Sequence, residues 1–391
     1  MTHLALSILF AFMPLLGTPA VDQDDQWPNK PQLPLERSDP IEYHIGLGID
    51  IGAAPEAIAQ QRVLQASGGT FTINLITAGN WTLAAPARLT SSLRINGQPA
   101  QVRQSVSGKQ GDESYTALIQ IPKANISALS LRVEWPVISF DSSINEELAA
   151  RATWPRQWPA EALPYLAPSP FIPSGEKEYT AFVERVSEGK VRDVPMYYAA
   201  KDLVRAAILE HRNVRAEFVF SENEGAVRGY DLKTAREAWQ RSRSRSQTRE
   251  ATASDLVANC IAVLRAAGIP ARPVIGLQSG SIINPAIVST NVKFVAWGEF
   301  YLPGAGWVPF DPNLMRGTSM TNMSVRKPWR FFGTFEHLNR RAAIAYDFAP
   351  MANGMISEFP CGWSLNVSGV ANGRFQFVDV TSPIMVLKGD R

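Results

Sequence analysis

The stretch that decides the fold reads Ala253-Ser-Asp-Leu-Val-Ala-Asn-Cys-Ile-Ala-Val-Leu-Arg-Ala-Ala-Gly-Ile-Pro-Ala-Arg272. Its apolar positions are Leu256, Val257, Cys260, Ile261, Val263, Leu264 and Ala267. They cover most of a helix's circumference, so the spacing predicts a buried central helix, not a surface one. Thr252 and Asp255 form the Thr-x-x-Asp signature of an N-terminal cap. Gly268 ends the helix and Pro270 stops it resuming. Upstream, Ala200, Leu203, Val204, Ala207 and Ile208 make one apolar face of a helix ending near His211. Downstream, Pro273 to Leu277 and Lys293 to Tyr301 predict strands, and a Pro303-Gly-Ala-Gly306 turn returns the chain as Trp307 to Phe310.

A second stretch, Phe294-Val-Ala-Trp-Gly-Glu-Phe-Tyr-Leu-Pro-Gly-Ala-Gly-Trp-Val-Pro-Phe-Asp-Pro-Asn313, completes a pattern. Together the two segments resemble the core of the transglutaminase-like superfamily, relatives of the papain-type cysteine enzymes. In that family a Gly-x-Cys opens the helix that ends in Arg-Ala-x-Gly-Ile-Pro-Ala-Arg, a His-Ala-Trp lies on a strand, and an Asp-Pro closes the return strand. The resemblance implies an α+β domain whose central helix packs on an antiparallel sheet. It also implies acyl-transfer or amide-hydrolysis chemistry, if the reactive groups are present.

Two of them are not. A thiol attacks an amide as thiolate, and a helix N-terminus with a neighbouring imidazole lowers its pKa; a carboxylate orients the ring. Counting back from Arg265, the family's cysteine falls at Ala253, and its histidine falls at Val295 within Val295-Ala296-Trp297. Only Asp311 matches, and it has the simpler alternative role of capping its Asp-Pro turn. A one-residue slip would bring Ser254 to the nucleophile position but rotate it ~100° around the helix. Cys260 lies two turns further along, ~10 Å deeper, whereas a nucleophile works within ~3 Å of its base. The other histidines beyond the first twenty residues are His44, His211 and His337. His211, near a helix end, reads as a partly exposed surface histidine or as one that faces the cleft; His44 and His337 have no ligand-spaced neighbours, so no metal site and no cofactor are expected. Trp297 and Trp307 are candidates to line the remaining cleft, although core filling is the commoner role of buried tryptophans. Arg241, Arg243 and Arg245 form a basic run before the helix, either a solvated loop or an anion-binding lip over the old site.

Working outward, Met1 to Ala20 carry an apolar run from Leu4 to Leu16 and small residues before Val21. That length suits a signal-peptide core and is short of the ~20 residues that span a bilayer, although the n-region lacks Lys and Arg. Export to a periplasmic or extracellular location is expected, with no transmembrane segment in the mature chain. Residues 21–40 read as a Pro-rich linker, and 41–137 as short alternating strands, including Thr70 to Ile76, Tyr115 to Ile121 and Leu129 to Trp135, that predict a β-sandwich. Residues 138–195 are a Pro- and Trp-rich connector, 196–313 the transglutaminase-like domain, and 314–391 a β-rich C-terminal extension. Cys260 and Cys361 are no disulfide framework; they read as separate buried thiols, with pairing open in an oxidising compartment.

With 391 residues, 45% of them hydrophobic, the chain has ample material for more than one core; its net charge of +2 carries no message about nucleic-acid or membrane partners, and no nucleic-acid partner is expected. The expectation is an exported pseudoenzyme that binds a peptide or partner protein or acts as a scaffold. The alternatives are an active amide hydrolase or acyl transferase with a displaced nucleophile, and a structural envelope protein.

Overall fold

The computed structural model describes residues 32–53, 64–76, 79–107, 114–169, 171–210, 220–223, 226–230, 253–280, 292–317, 323–346, 355–358, 363–371 and 377–387. Alternation in the sequence becomes a sandwich of two antiparallel sheets. One holds β1 (Leu35–Ala53), β3 (Thr82–Ala84), β4 (Thr90–Ile95), β5 (Gln98–Ala100), β9 (Ala128–Ile144) and β18 (Phe377–Leu387). Its order is β18-β1-β9-β4-β5, with β3 also on β9. The other holds β2 (Leu64–Ile76), β6 (Arg103–Ser107), β7 (Ser114–Ile121), β8 (Ala124–Ile126), β16 (Met355–Glu358) and β17 (Trp363–Ala371).

The facing residues follow the period of two. Leu129, Leu131, Val133, Trp135 and Val137 of β9 are buried, as are Tyr43, Ile45, Leu47 and Ile49 of β1, and the register pairs Leu131 with Ile49, Val133 with Leu47 and Trp135 with Ile45. From the opposite sheet come Phe71, Ile73, Leu75, Ala117 and Ile119, closed by Trp363 with its ring 5.8 Å from Phe71. Each such aliphatic side chain contributes about 1.5–3 kcal/mol by leaving water. Gly46 has a packing reason of its own: a Cβ there would lie 2.2 Å from the Val133 carbonyl oxygen.

Two sequence boundaries move. The strand expected from Ile41 begins at Leu35, inside the segment assigned to the linker. Pro40 is tolerated because it sits where the β1–β9 register shifts, between Ser38 and Ile41, next to Asp39 at φ +47°. The residues expected as a C-terminal extension instead divide: Arg341–Ala345 joins the sheet of the inserted domain, while β17 pairs with β2 and β18 with β1 along the whole length of β18. The segment between β9 and β16 is therefore an insertion within the sandwich. Export signal, basic run, Thr252, His211 and Cys361 lie outside the described residues.

The insertion is the α+β part. Its sheet runs β14-β13-β12-β15, all antiparallel: β12 (Ala271–Ser279), β13 (Val292–Leu302), β14 (Gly306–Phe310) and β15 (Arg341–Ala345). Its helices are α1 (Glu146–Ala149), α2 (Lys177–Ser187), α3 (Met196–Glu210), α4 (Ala253–Ala266) and α5 (Pro312–Met315). Helix α4 contacts α2, α3 and α5 as well as β12 and β13, which explains why it is apolar all round. Leu256, Val257, Cys260, Ile261, Val263 and Leu264 are all fully buried. It ends as the sequence demands, with Gly268 at φ +81° and Ile269 N–H donating back to the Leu264 carbonyl at 2.9 Å. No helix among the described residues is long and apolar enough to cross a membrane.

Candidate functional site

Helix α4 begins at Ala253, so the residue in the family's nucleophile register stands at a helix N-terminus, where a thiolate would be favoured. Alanine offers no atom to ionise. Ser254, next along, is fully buried and its hydroxyl has no hydrogen-bond partner among the described residues. Cys260 is fully buried; burial, with the charge of Asp311 adding to it, pushes its thiol far up. That is the opposite of what a nucleophile needs.

On β13, alternation puts Val295, Trp297 and Glu299 on one face, and the register sets them beside Gly276, Val274 and Arg272 of β12. Val295 is 6% exposed, so the position expected for the base is apolar and nearly closed to solvent. Trp297 lies across Gly276, where a Cβ would come within 2.6 Å of its ring. Trp307 is likewise buried, edge-on to Tyr165 and Tyr301. Neither tryptophan is an exposed platform.

Asp311 stands at the end of β14, 1% exposed, and has two jobs. Its Oδ1 accepts the N–H groups of Asn313 at 2.8 Å and Leu314 at 3.1 Å, which caps α5. Its Oδ2 accepts from Arg341 Nη1 at 2.7 Å. Arg341 comes from the start of β15; its Nε donates to Gln278 Oε1 at 3.0 Å, and its guanidinium lies 5.5 Å from the Trp297 ring centroid and 5.2 Å from that of Phe335. Burial draws the Arg341 pKa down, and the Asp311 carboxylate opposes that. A second buried pair crosses β12 and β13: Arg272 Nε donates to Glu299 Oε2 at 2.8 Å, with the guanidinium 3.9 Å from the Trp307 centroid and 3.5 Å from that of Tyr346. Arg272 thus explains the last residue of the Pro-Ala-Arg run as a structural clamp.

The model of the transglutaminase-like superfamily matches residues 211–312, within which Ala253, Val295 and Asp311 all fall. The chain carries a transglutaminase-like domain. Among solved structures, a Cytophaga hutchinsonii protein titled as a candidate cysteine protease is similar at 15% identity and a TM-score of 0.50, over 90% of this chain and 93% of that one. That likeness is one of fold, and it extends over nearly the whole of both chains. The periplasmic domain of TgpA from Pseudomonas aeruginosa matches at 18% identity over 68% of this chain and 87% of that one, with a TM-score of 0.28. Red sea bream transglutaminase matches at 13% identity over 62% of this chain and 48% of its own, with a TM-score of 0.26. No curated protein matches the sequence significantly.

The sequence motif leads to Ala253, Val295 and Asp311 as the expected positions, but not to Arg341 or Gln278. Arg341 follows another arginine, Arg340, at the head of an Ala-Ala-Ile-Ala strand, and nothing local separates a buried cation from an exposed one. The backbone N–H of His337 donates to Asp141 Oδ2 at 2.9 Å.

Proposed function

We propose that the protein is an exported, catalytically silent member of the transglutaminase-like group that binds a peptide or protein partner, or holds one in place as a scaffold. The observation that carries the reading is the state of Asp311. The carboxylate that would orient an imidazole is committed to a helix cap and to Arg341, while the residue in the imidazole's register is Val295. A displaced nucleophile finds little support, since Cys260 is fully buried and its thiol is pushed up by burial. Export rests on the Leu4 to Leu16 run alone. Scaffolding draws support from the insertion topology, which ties the domain at both ends into the sandwich.

The test is direct. Purified protein is offered glutamine-containing peptides with a labelled amine, and amide substrates without one. Turnover should not exceed buffer. Turnover that iodoacetamide abolishes, and that a Cys260→Ala variant lacks, would sink the silent reading. For the binding half, neutralising Arg241, Arg243 and Arg245 together should weaken capture of an envelope partner in a salt-dependent way while leaving the denaturant midpoint nearly unchanged. Equal capture at low salt returns that run to a solvated loop.

A further inference from the structure

We infer that Arg341 is the resident counter-ion of the degenerate site, holding at Asp311 the place an imidazole on β13 would have to take. The inference rests on the catalytically silent reading and deepens it: the site has lost its thiol and its imidazole, and its carboxylate has been given another partner.

The geometry supports this residue by residue. An ionised carboxylate offers about four lone-pair sites. Asp311 uses two at Oδ1 for the Asn313 and Leu314 N–H groups and one at Oδ2 for Arg341. The remaining site lies on the oxygen already facing the guanidinium, so a second cation there would meet Arg341 at close range. Position 295 is two residues from Trp297 on the same face, ~7 Å along the strand. The Trp297 ring is itself 5.5 Å from the Arg341 guanidinium. A ring introduced at 295 would therefore reach toward a place that Arg341 holds. Among the described residues, the groups facing Asp311 are the N–H groups of α5, Arg341 from β15 and the Cys260 thiol from α4. Arg341 in turn faces Gln278 of β12, Trp297 of β13 and Phe335. Gln278, being neutral, helps fix the fork without competing for the charge.

A bystander arginine and a resident counter-ion make different demands on an imidazole placed at 295. The experiment labels the ring in Val295→His and follows its titration by NMR, with and without Arg341→Met; His44, His211 and His337 serve as internal references. With Arg341 present, burial and the adjacent guanidinium both disfavour the ring's cation, so it should titrate below the ordinary ~6.5. With Arg341→Met, Asp311 has an unpaired oxygen and the ring should titrate at least about one pH unit higher. Equal titration in the two backgrounds, or the reverse order, overturns the inference. Arg341→Met strands a buried carboxylate and could fail to fold, so Asp311→Asn and Arg341→Gln supply a second arm. Their double variant should outlast either single in denaturant, because each single leaves one buried charge alone. Strictly additive losses would count against the pairing. Native turnover, if seen, defeats the proposed function but leaves both measurements readable, so the two ideas fail separately.

Discussion

The two halves of this molecule are built on different kinds of interior. Between the sandwich sheets the facing side chains are apolar: Leu131, Val133 and Trp135 lie beside Ile49, Leu47 and Ile45 in one sheet, and Phe71, Ile73 and Leu75 come from the other, without a charge among them. The inserted sheet instead buries two arginines on two carboxylates, Arg272 on Glu299 and Arg341 on Asp311, with side-chain exposures of 4% or less. A buried lysine adds a third pair, Lys201 Nζ to Glu146 Oε2 at 2.6 Å, with the ammonium also donating to the carbonyls of Val325 and Lys327. Dispersion and hydrophobic burial ask only for volume, so an apolar interior forgives substitution. Buried charge asks for one partner at one distance, and losing either leaves the other stranded in a poor solvent for ions.

That contrast can be broken at its strongest point first. Arg272→Met removes the guanidinium beneath Glu299 and should cost about 3–5 kcal/mol in denaturant unfolding. Arg272→Lys should recover only a small part of it, because the flat fork stacked between Trp307 and Tyr346 has no counterpart in an ammonium. Recovery to near wild type would mean that charge alone matters there. In the sandwich, Leu131→Ala should cost about 2–5 kcal/mol. Leu131→Met should cost less than about 1.5 kcal/mol. A methionine as harmful as an alanine would erase the distinction between the two interiors. The smallest effect belongs to the exposed face of β1. There Asp50 meets Arg132 at 2.8 Å, both side chains more than 40% exposed. Burial works to raise the Asp50 pKa, but hydrogen bonds from Arg132 and Ser130 outweigh it and hold the carboxyl below its usual value. A carboxylate with a lowered folded pKa stabilises above its unfolded pKa and loses that contribution as pH falls through the folded one. Discounted for solvent screening, Asp50→Asn should cost about 0–1 kcal/mol at pH 7, and the difference should vanish in acid, which urea midpoints at both pH values would show.

What the sequence could tell follows the same division. Period-two alternation announced β2, β7 and β9, and an all-round apolar pattern with Gly268 and Pro270 announced α4, because those signals are local. The start of β1 was hidden by Pro34 and Pro40, since a proline's compatibility with a strand depends on whether a bulge absorbs it, as the Ser38–Ile41 register shift does. The partners of β17 and β18 were invisible, for pairing across the length of the chain leaves no trace in either segment alone. At the candidate site, the expectation for Ala253, Val295 and Asp311 comes from neighbours that form a long motif. Arg341 is not legible in that way, because its meaning depends on Asp311, thirty residues away in sequence and one side-chain hydrogen bond away in space.

The pairing of β1 with β18 sets a timetable for synthesis. Tyr43 lies beside Leu387 and Ala53 beside Phe377, so among the described strands the first to be made waits for the last. At ~5–20 residues per second, that delay is on the order of tens of seconds. Throughout it, one edge of β1 has its backbone donors and acceptors unpaired, alternating with Ile45, Leu47 and Ile49, a template on which another nascent chain could dock. The inserted domain, whose strands neighbour one another in sequence, is complete once β15 (Arg341–Ala345) is made, shortly before β18 (Phe377–Leu387). The order of assembly is thus imposed by where the ends meet: the insert first, the enclosing sandwich last.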